Sequence, residues 1–492
     1  MSATIVSTET PSPKGQQTHN WYAADLAQHA LCPSAEIAPE FAKEPSLERA
    51  RHLLATHPLI KSCMENSPDA ASFAEKFTDS VVSADAQLSA NSIKLDPSVL
   101  KFFYLSVATR LFVELTGESP EAVALSDAHA NKDRQALREQ VGADLPTTKG
   151  IKTFLGISEN TPGGGAMVIV SGRSAAEAAF GSISLSEEHP ITTSTPFNLA
   201  SITKQFVAFA AVVLVERNQM QLSDPAIQHL PDSVTSIPGI RSLLQGVSVE
   251  DLIRHRSGVR NYFDAEVGVG DSEPLNNIEV LERLGKHGER EFEPGANHSY
   301  SNSGYILLAA MIEHTAQTTF QAFVKKELFE PMEMSGTFVA DEAAYKGGRL
   351  PQGFSAEDGS FTMHPGGTHT YGDGGLISNL RDMEKWQKMV EGHGPQLISE
   401  VHRILMFSPD VLADGTRTPR GLGAYIPLDG HPTIQNEGSD AGFESIKVHL
   451  PGDDCSIILM FNWGVTDFQK YAVMRQLIER YVGSEAARTA QL

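Results

Sequence analysis

Ser201 and Lys204 stand three residues apart in Phe197-Asn198-Leu199-Ala200-Ser201-Ile202-Thr203-Lys204-Gln205-Phe206, where a short strand-like entry, Thr195 to Leu199, meets a long apolar run. A serine hydroxyl is a poor nucleophile until a base removes its proton, and lysine is such a base when uncharged. On a helix, residues three apart share a face, so this spacing puts hydroxyl and amine within reach of each other. Burial favours the neutral amine: bringing a lysine from about 10.4 to near 7 corresponds to about 4 to 5 kcal/mol against its charged form. The helix N-terminus adds free backbone N–H groups that can hold an oxyanion. The pair therefore suits acyl transfer through a serine ester.

The elements around the pair must hold it in place. Phe206 to Val215 is apolar at every position and ends at Glu216-Arg217. A run of about ten residues is too short to cross a bilayer, so it reads as a helix buried in a core. Ser98-Val99-Leu100-Lys101 repeats the spacing in another helix-like segment, but nothing near it completes a catalytic set. The spacing is a weak signal by itself, and the rest of the chain must supply the specificity.

The chain has 492 residues, 41% of them hydrophobic, enough for two or three domains with real cores. A formal net charge of -22 argues against nucleic acid or an anionic membrane as partner and is read as a solubility feature. Cys32, Cys63 and Cys455 are widely spaced and odd in number, which fits a reduced, cytoplasmic setting better than a disulfide framework or a metal site. The first residues lack a basic start and an apolar core, so no export signal is expected there.

Four regions follow from texture. Residues 1–19 are rich in Ser, Thr, Pro and Gln and read as a disordered tail. Residues 20–150 read as helical, with apolar residues three and four apart, and carry no motif. Their expected role is a scaffold or a homo-oligomer contact. The main domain is expected over 151–485, with 486–492 as a tail.

Strands are expected at Ala166 to Ser171 and Ala176 to Ser184, and again near the C-terminus at Gly421 to Pro427, Thr433 to Asn436, Phe443 to Leu450 and Cys455 to Phe461. Helices lie between, including one opened by Ser248-Val249-Glu250-Asp251 in the manner of a capping box. Strands at both ends with helices between predict an α/β (α+β) fold, one antiparallel sheet flanked by helices with an inserted helical subdomain.

Further motifs give the chain a resemblance. Ser201-Ile202-Thr203-Lys204, Tyr300-Ser301-Asn302 and a glycine-bearing C-terminal strand motif resemble the three motifs of the serine β-lactamase and penicillin-binding-protein superfamily. The Tyr-x-Asn form is similar to its class C β-lactamase, D-aminopeptidase and family VIII esterase branch. Ser248 to Gly258, Pro294 to Tyr305 and Gly374 to Met383 add matching text, so the likeness covers about 160–485 and leaves the first 150 residues outside it.

The resemblance implies Ser201 as acylated nucleophile, Lys204 as its base partner and Tyr300 as second proton carrier. Asn302 would hold the lysine or the substrate. With Gly442-Phe443 placed on the family's Gly-Phe, Asn436-Glu437-Gly438-Ser439 falls where Lys-Thr-Gly or His-x-Gly usually stands. Asn436, Gly438 and Ser439 are thus the expected substrate-binding residues, and the Ser439 N–H would complete an oxyanion hole with that of Ser201. Neutral Asn436 and anionic Glu437 leave that place without a cation, which counts against a potent β-lactamase or DD-peptidase. Asp373 is a candidate for a substrate amine, and His364 and His369 are candidate pocket residues; their spacing matches no metal pattern. No cofactor or metal is expected. The implied activity is serine hydrolysis of a small ester or amide, in the manner of an esterase or a D-amino-acid peptidase or amidase, with acyl transfer to an alcohol, as in some biosynthetic relatives, as the main alternative. A weak β-lactamase or DD-peptidase, or a scaffold with vestigial activity, completes the alternatives.

Overall fold

Apolar residues on both faces of consecutive strands force the central sheet between two helical layers. Successive side chains of a strand point to opposite faces. In β1 (Gly164–Val170), Met167 and Ile169 enter one core while Ala166 and Val168 enter the other. β12 (Cys455–Phe461) does the same, with Ile458 and Met460 opposed to Ile457 and Leu459.

The computed structural model describes residues 151–492 except 153–154, 159, 187–188, 271–272, 342–343, 345–349 and 358–359. The chain divides into two units, Met1–Glu139 and Gln140–Leu492, and the described residues lie in the second. The expected tail 1–19, the helices of 20–150, Ser98 with Lys101, and Cys32 and Cys63 lie outside the described residues.

Five antiparallel strands form the sheet in the order β10-β11-β12-β1-β2, with β2 at Arg173–Phe180, β10 at Ile434–Asp440 and β11 at Phe443–Leu450. The first strands thus pair with the last, β1 against β12 in the register Gly164 to Phe461. A smaller sheet joins β3 (Phe197–Asn198), β7 (Leu376–Ser378) and β4 (Phe338–Val339). Two hairpins complete the set, β5–β6 (Phe354–Glu357, Ser360–Met363) and β8–β9 (Asp410–Val411, Arg417–Thr418).

The helix following Ser201, α1 (Thr203–Glu216), is buried from Thr203 to Leu214. A helix apolar all round belongs in a core, and this one lies among α4 (Asn302–Ala316), α5 (Leu380–Val390) and the sheet. Other helices are α2 (Val249–Ile253), α3 (Asn277–His287), α6 (Asp467–Tyr481) and α7 (Ser484–Thr489). The expected capping box is present at the start of α2, where Ser248 and Asp251 satisfy each other's backbone N–H. Among the described residues no helix is long and apolar enough to cross a membrane.

Several boundaries differ from the sequence reading: β2 runs from Arg173 to Phe180 rather than from Ala176 to Ser184, and β10 continues to Asp440 rather than stopping at Asn436. Gly421 to Pro427 is not a strand: only Tyr425 pairs, exchanging hydrogen bonds with Gln435. α4 begins at Asn302, inside the Tyr300-Ser301-Asn302 motif, because Ser301 caps it through the Gly304 N–H. The supposed tail 486–492 begins inside α7, whose Ala486 and Ala487 are buried with Ala490 in the core under α6. Small alanines carry little sequence signal, yet they fit closely against another helix.

Trp386 shows how the core grips the active helix. Its ring stacks on Phe206 at 3.8 Å between centroids and meets Phe209 edge-on at 4.9 Å, and its Nε1–H donates to Gln205 Oε1 at 2.7 Å. Trp386→Ala is expected to lower stability by about 3 to 5 kcal/mol. A urea-melt midpoint that barely moves would deny the stack that role.

Candidate active site

A backbone kink presents Ser201. The residue before it, Ala200, has φ 46°, a left-handed conformation that disfavours a β-carbon. The neighbours hold it there: Asn198 Oδ1 accepts the Ala200 N–H at 2.9 Å, and the Leu199 N–H donates to Leu376 O at 2.8 Å. Ser201 then lies in a single tight turn, Ala200–Ile202, and α1 starts only at Thr203. The sequence reading put Ser201 in the first turn of the α-helix itself. The turn still carries Lys204 round to the same side.

Strand β10 closes against this kink. A β-carbon on Gly438 would sit 2.2 Å from Leu199 O, so only glycine lets the strand approach so closely. β10 is the edge of the sheet, and Gln435 spends its outward N–H and C=O on Tyr425. Backbone groups alternate along an antiparallel strand, so Glu437 and Ser439 also turn theirs to the open edge. The Ser439 N–H therefore faces the Ser201 side rather than β11.

Three side chains from distant parts of the chain converge. Lys204 Nζ lies 3.0 Å from Ser201 Oγ, and the Tyr300 hydroxyl donates to the same Oγ at 2.7 Å. The Lys204 amine is 3% exposed, donates to Asp373 O at 2.6 Å and lies 4.9 Å from the Tyr300 ring centroid. One hydroxyl thus has two proton-carrying neighbours. All three residues line a cavity of about 970 Å³.

His255, His298 and Arg420 surround the tyrosine. The His255 ring lies 4.5 Å from that of Tyr300, and its Nδ1 accepts the Ser301 N–H at 3.1 Å. Burial holds the His255 pKa well below the usual range, helped by Arg420 and Lys204, so the ring is neutral with its proton on Nε2. His298 is pushed down to about 4 by burial and by Arg420, whose Nε–H donates to His298 Nε2 at 2.9 Å. The Arg420 guanidinium lies 5.9 Å from the Tyr300 centroid. It brings into the cavity the cation that the third motif lacks.

The other expected residues fare differently. Asn302 lines the cavity, but the amine of Lys204 bonds to Ser201 and to a carbonyl rather than to it. Asn436 lines the cavity too. Its Oδ1 accepts from Gln205 Nε2 at 3.0 Å and its Nδ2 donates to Gly423 O at 2.6 Å, bonds that tie β10 to α1 and leave one N–H and one lone pair of the amide over. Gly438 and Ser439 line the cavity, and Ser439 Oγ donates to Glu444. His364 and His369 line neither this cavity nor the smaller one beside it. Asp373 lines the smaller one.

Sequence reasoning missed His255 and Arg420, which line the main cavity, and Tyr262 and Asp440, which line the smaller one. His255 had a signal, since it sits within the Ser248 to Gly258 segment of the resemblance. Arg420 had none, being one arginine in a loop. Among the described residues, Glu391, His393 and Asp454 form one group whose ligand-type atoms lie within 4.8 Å of one another, and none of them lines the Ser201 cavity.

A five-stranded antiparallel sheet between helical layers, with Ser, Lys and Tyr meeting at its edge, defines a β-lactamase-like domain. The chain belongs to the Beta-lactamase family, whose model matches residues 134–478. It is 25% identical over 311 residues to a D-aminopeptidase of Gluconobacter oxydans (strain 621H), covering 61% of this chain and 56% of that one. A penicillin-binding protein of Bacillus subtilis (strain 168) is 27% identical over 306 residues, covering 58% and 64%. The chain thus spans between half and two thirds of these relatives. The octameric penicillin-binding protein homologue from Pyrococcus abyssi has a similar fold, with a TM-score of 0.56 at 22% identity over 68% of this chain and 76% of that one.

Proposed function

We propose that the chain hydrolyses small esters or amides through an acyl-enzyme on Ser201. The observation that carries this reading is the double contact of Ser201 Oγ, 3.0 Å from Lys204 Nζ and 2.7 Å from the Tyr300 hydroxyl. As the hydroxyl attacks a carbonyl carbon, its proton passes to this pair. The carbonyl oxygen gains charge and is met by the backbone N–H groups of Ser201 and Ser439. Tyr300 returns the proton to the leaving oxygen or nitrogen, and water then enters by the same steps in reverse. Asn302, Asn436 and Gly438 shape the wall beside the acyl group, and Asn436 also ties β10 to α1.

Arg420 favours a second reading in which the substrate carries a carboxylate. A guanidinium near Tyr300 would bind it in place of the family's usual lysine or histidine, and this restores weak DD-peptidase or β-lactamase activity as an alternative. Acyl transfer to an alcohol uses the same three residues, and partition of the acyl group between water and added alcohols measures it.

Intact-mass spectra after brief exposure to p-nitrophenyl esters, alanine amides and a penicillin test the proposal. The expected result is a transient adduct of one acyl group, mapped by peptide digestion to Ser201. Adducts confined to other residues, or none from any reagent, would overturn it.

A further inference from the structure

Where α5 ends, three side chains of metal-ligand type meet. Glu391 follows the last residue of the helix, His393 stands two positions on, and Asp454 belongs to the turn between β11 and β12. Their ligand-type atoms all lie within 4.8 Å of one another, and His393 Nε2 is 3.0 Å from Asp454 Oδ1. None of the three lines the Ser201 cavity, so acyl-enzyme chemistry gives the group no role.

An ordinary ion pair would account for His393 and Asp454 but not for Glu391. The Glu391 side chain is 1% exposed. Its Oε1 accepts from Ser456 Oγ and from Gln387 Nε2 at 3.2 Å, while its Oε2 is buried without a hydrogen-bond partner. A buried carboxylate oxygen left bare is costly unless a ligand serves it. Lys447, a buried cation on β11, donates to Gln387 Oε1 at 2.8 Å rather than to this carboxylate.

The surroundings hold the three side chains in place. Ser456 and Gln387 fix the Glu391 carboxylate. A β-carbon on Gly172 would lie 2.6 Å from His393 Cγ, so the imidazole can rest on the β1–β2 turn only because a glycine stands there. The His393 N–H donates to Lys388 O at 2.7 Å, and the Asp454 carbonyl accepts the Ser171 N–H at 2.8 Å. Ligands oriented by such neighbours lose little freedom when an ion arrives.

We infer that Glu391, His393 and Asp454 bind one zinc-type divalent metal ion. One imidazole nitrogen and two carboxylates are donors that suit zinc, whereas calcium and magnesium take oxygen ligands. Ligand atoms about 2.1 Å from a tetrahedral zinc stand roughly 3.4 Å apart, and the His393–Asp454 pair is already near that spacing. The His393 and Asp454 side chains are 31% and 41% exposed, which leaves the ion an entry path and a fourth position for water. The ion would neutralise the bare Glu391 oxygen. It would also staple the end of α5, the helix whose Trp386 grips α1, to the β11–β12 turn, so its expected effect is on stability.

The test titrates the tag-free full-length chain, stripped of metal by dialysis against EDTA, with zinc chloride in competition with a chromophoric chelator. The expected result is one zinc per chain that wild type holds and that His393→Ala and Asp454→Asn each hold at least about tenfold more weakly. Zinc should raise the thermal unfolding midpoint of wild type by more than that of either variant, while magnesium chloride at the same concentration leaves it unchanged. Both substitutions alter exposed side chains, and far-ultraviolet circular dichroism checks that the variants fold. Any of three results removes the site: no zinc bound by wild type, equal zinc affinity in wild type and His393→Ala, or magnesium competing with zinc on equal terms. The outcome is independent of Ser201, so it stands or falls apart from the acyl-enzyme reading.

Discussion

Replacing Ser201 by alanine will lower kcat/KM for activated esters by on the order of 10⁴-fold or more, about 5.5 kcal/mol of transition-state stabilisation. The oxygen that makes the new bond is gone, and among the described residues no other hydroxyl shares its contacts with Lys204 Nζ and the Tyr300 hydroxyl. Lys204→Met will remove nearly as much. Methionine keeps the length and the burial of the side chain but cannot take the proton, and it leaves the Asp373 carbonyl without its 2.6 Å donor. The losses will not add, because residues acting as one unit fail together. Hydrolysis of p-nitrophenyl acetate by the two single variants and the double variant reads all three values. A Ser201→Ala enzyme with more than a tenth of wild-type activity would remove the nucleophile from the scheme.

Tyr300→Phe is expected to slow turnover by about 10²- to 10⁴-fold, the usual range for a positioned proton carrier. The change deletes one oxygen and keeps the ring, so the stack on His255 at 4.5 Å survives. The size of the loss depends on the leaving group. An amide nitrogen must be protonated to depart, whereas p-nitrophenolate leaves without help, so a p-nitroanilide suffers more than the matched p-nitrophenyl ester. Equal losses on both substrates would place the tyrosine in attack by Ser201 alone. Loss below threefold on both would assign the whole proton traffic to Lys204.

These expectations draw on parts of the molecule that differ in how well the sequence announces them. β11 and β12 were legible to the residue, since Ile446 to Leu450 alternates apolar and polar residues and Cys455 to Phe461 is apolar except for Ser456, both near turn residues. α1 was legible because ten consecutive apolar residues have nowhere to go but a core. Gly421 to Pro427 misled, having strand composition but only a single paired residue, Tyr425, to hold it. Asn436 was half legible. Its place in a motif pointed to the cavity it lines, while its bonds to Gln205 and Gly423, both apart from it in sequence, had no local signal.

By itself the sequence determined that a serine and a lysine share one side of a buried helical segment, that strands from both ends of the chain make one antiparallel sheet, and that a tyrosine motif follows. Such features depend on local spacing and on hydrophobic pattern, both written residue by residue. Only the tertiary structure decided that Tyr300 reaches Ser201, that Arg420 lines the same cavity, and that Asp373 and Asp440 face one small recess. Those relations are distances between residues separated by tens to hundreds of positions. They exist once loops such as Thr368 to Gly375 fold back against α1, and no period or motif along the chain encodes where such a loop comes to rest.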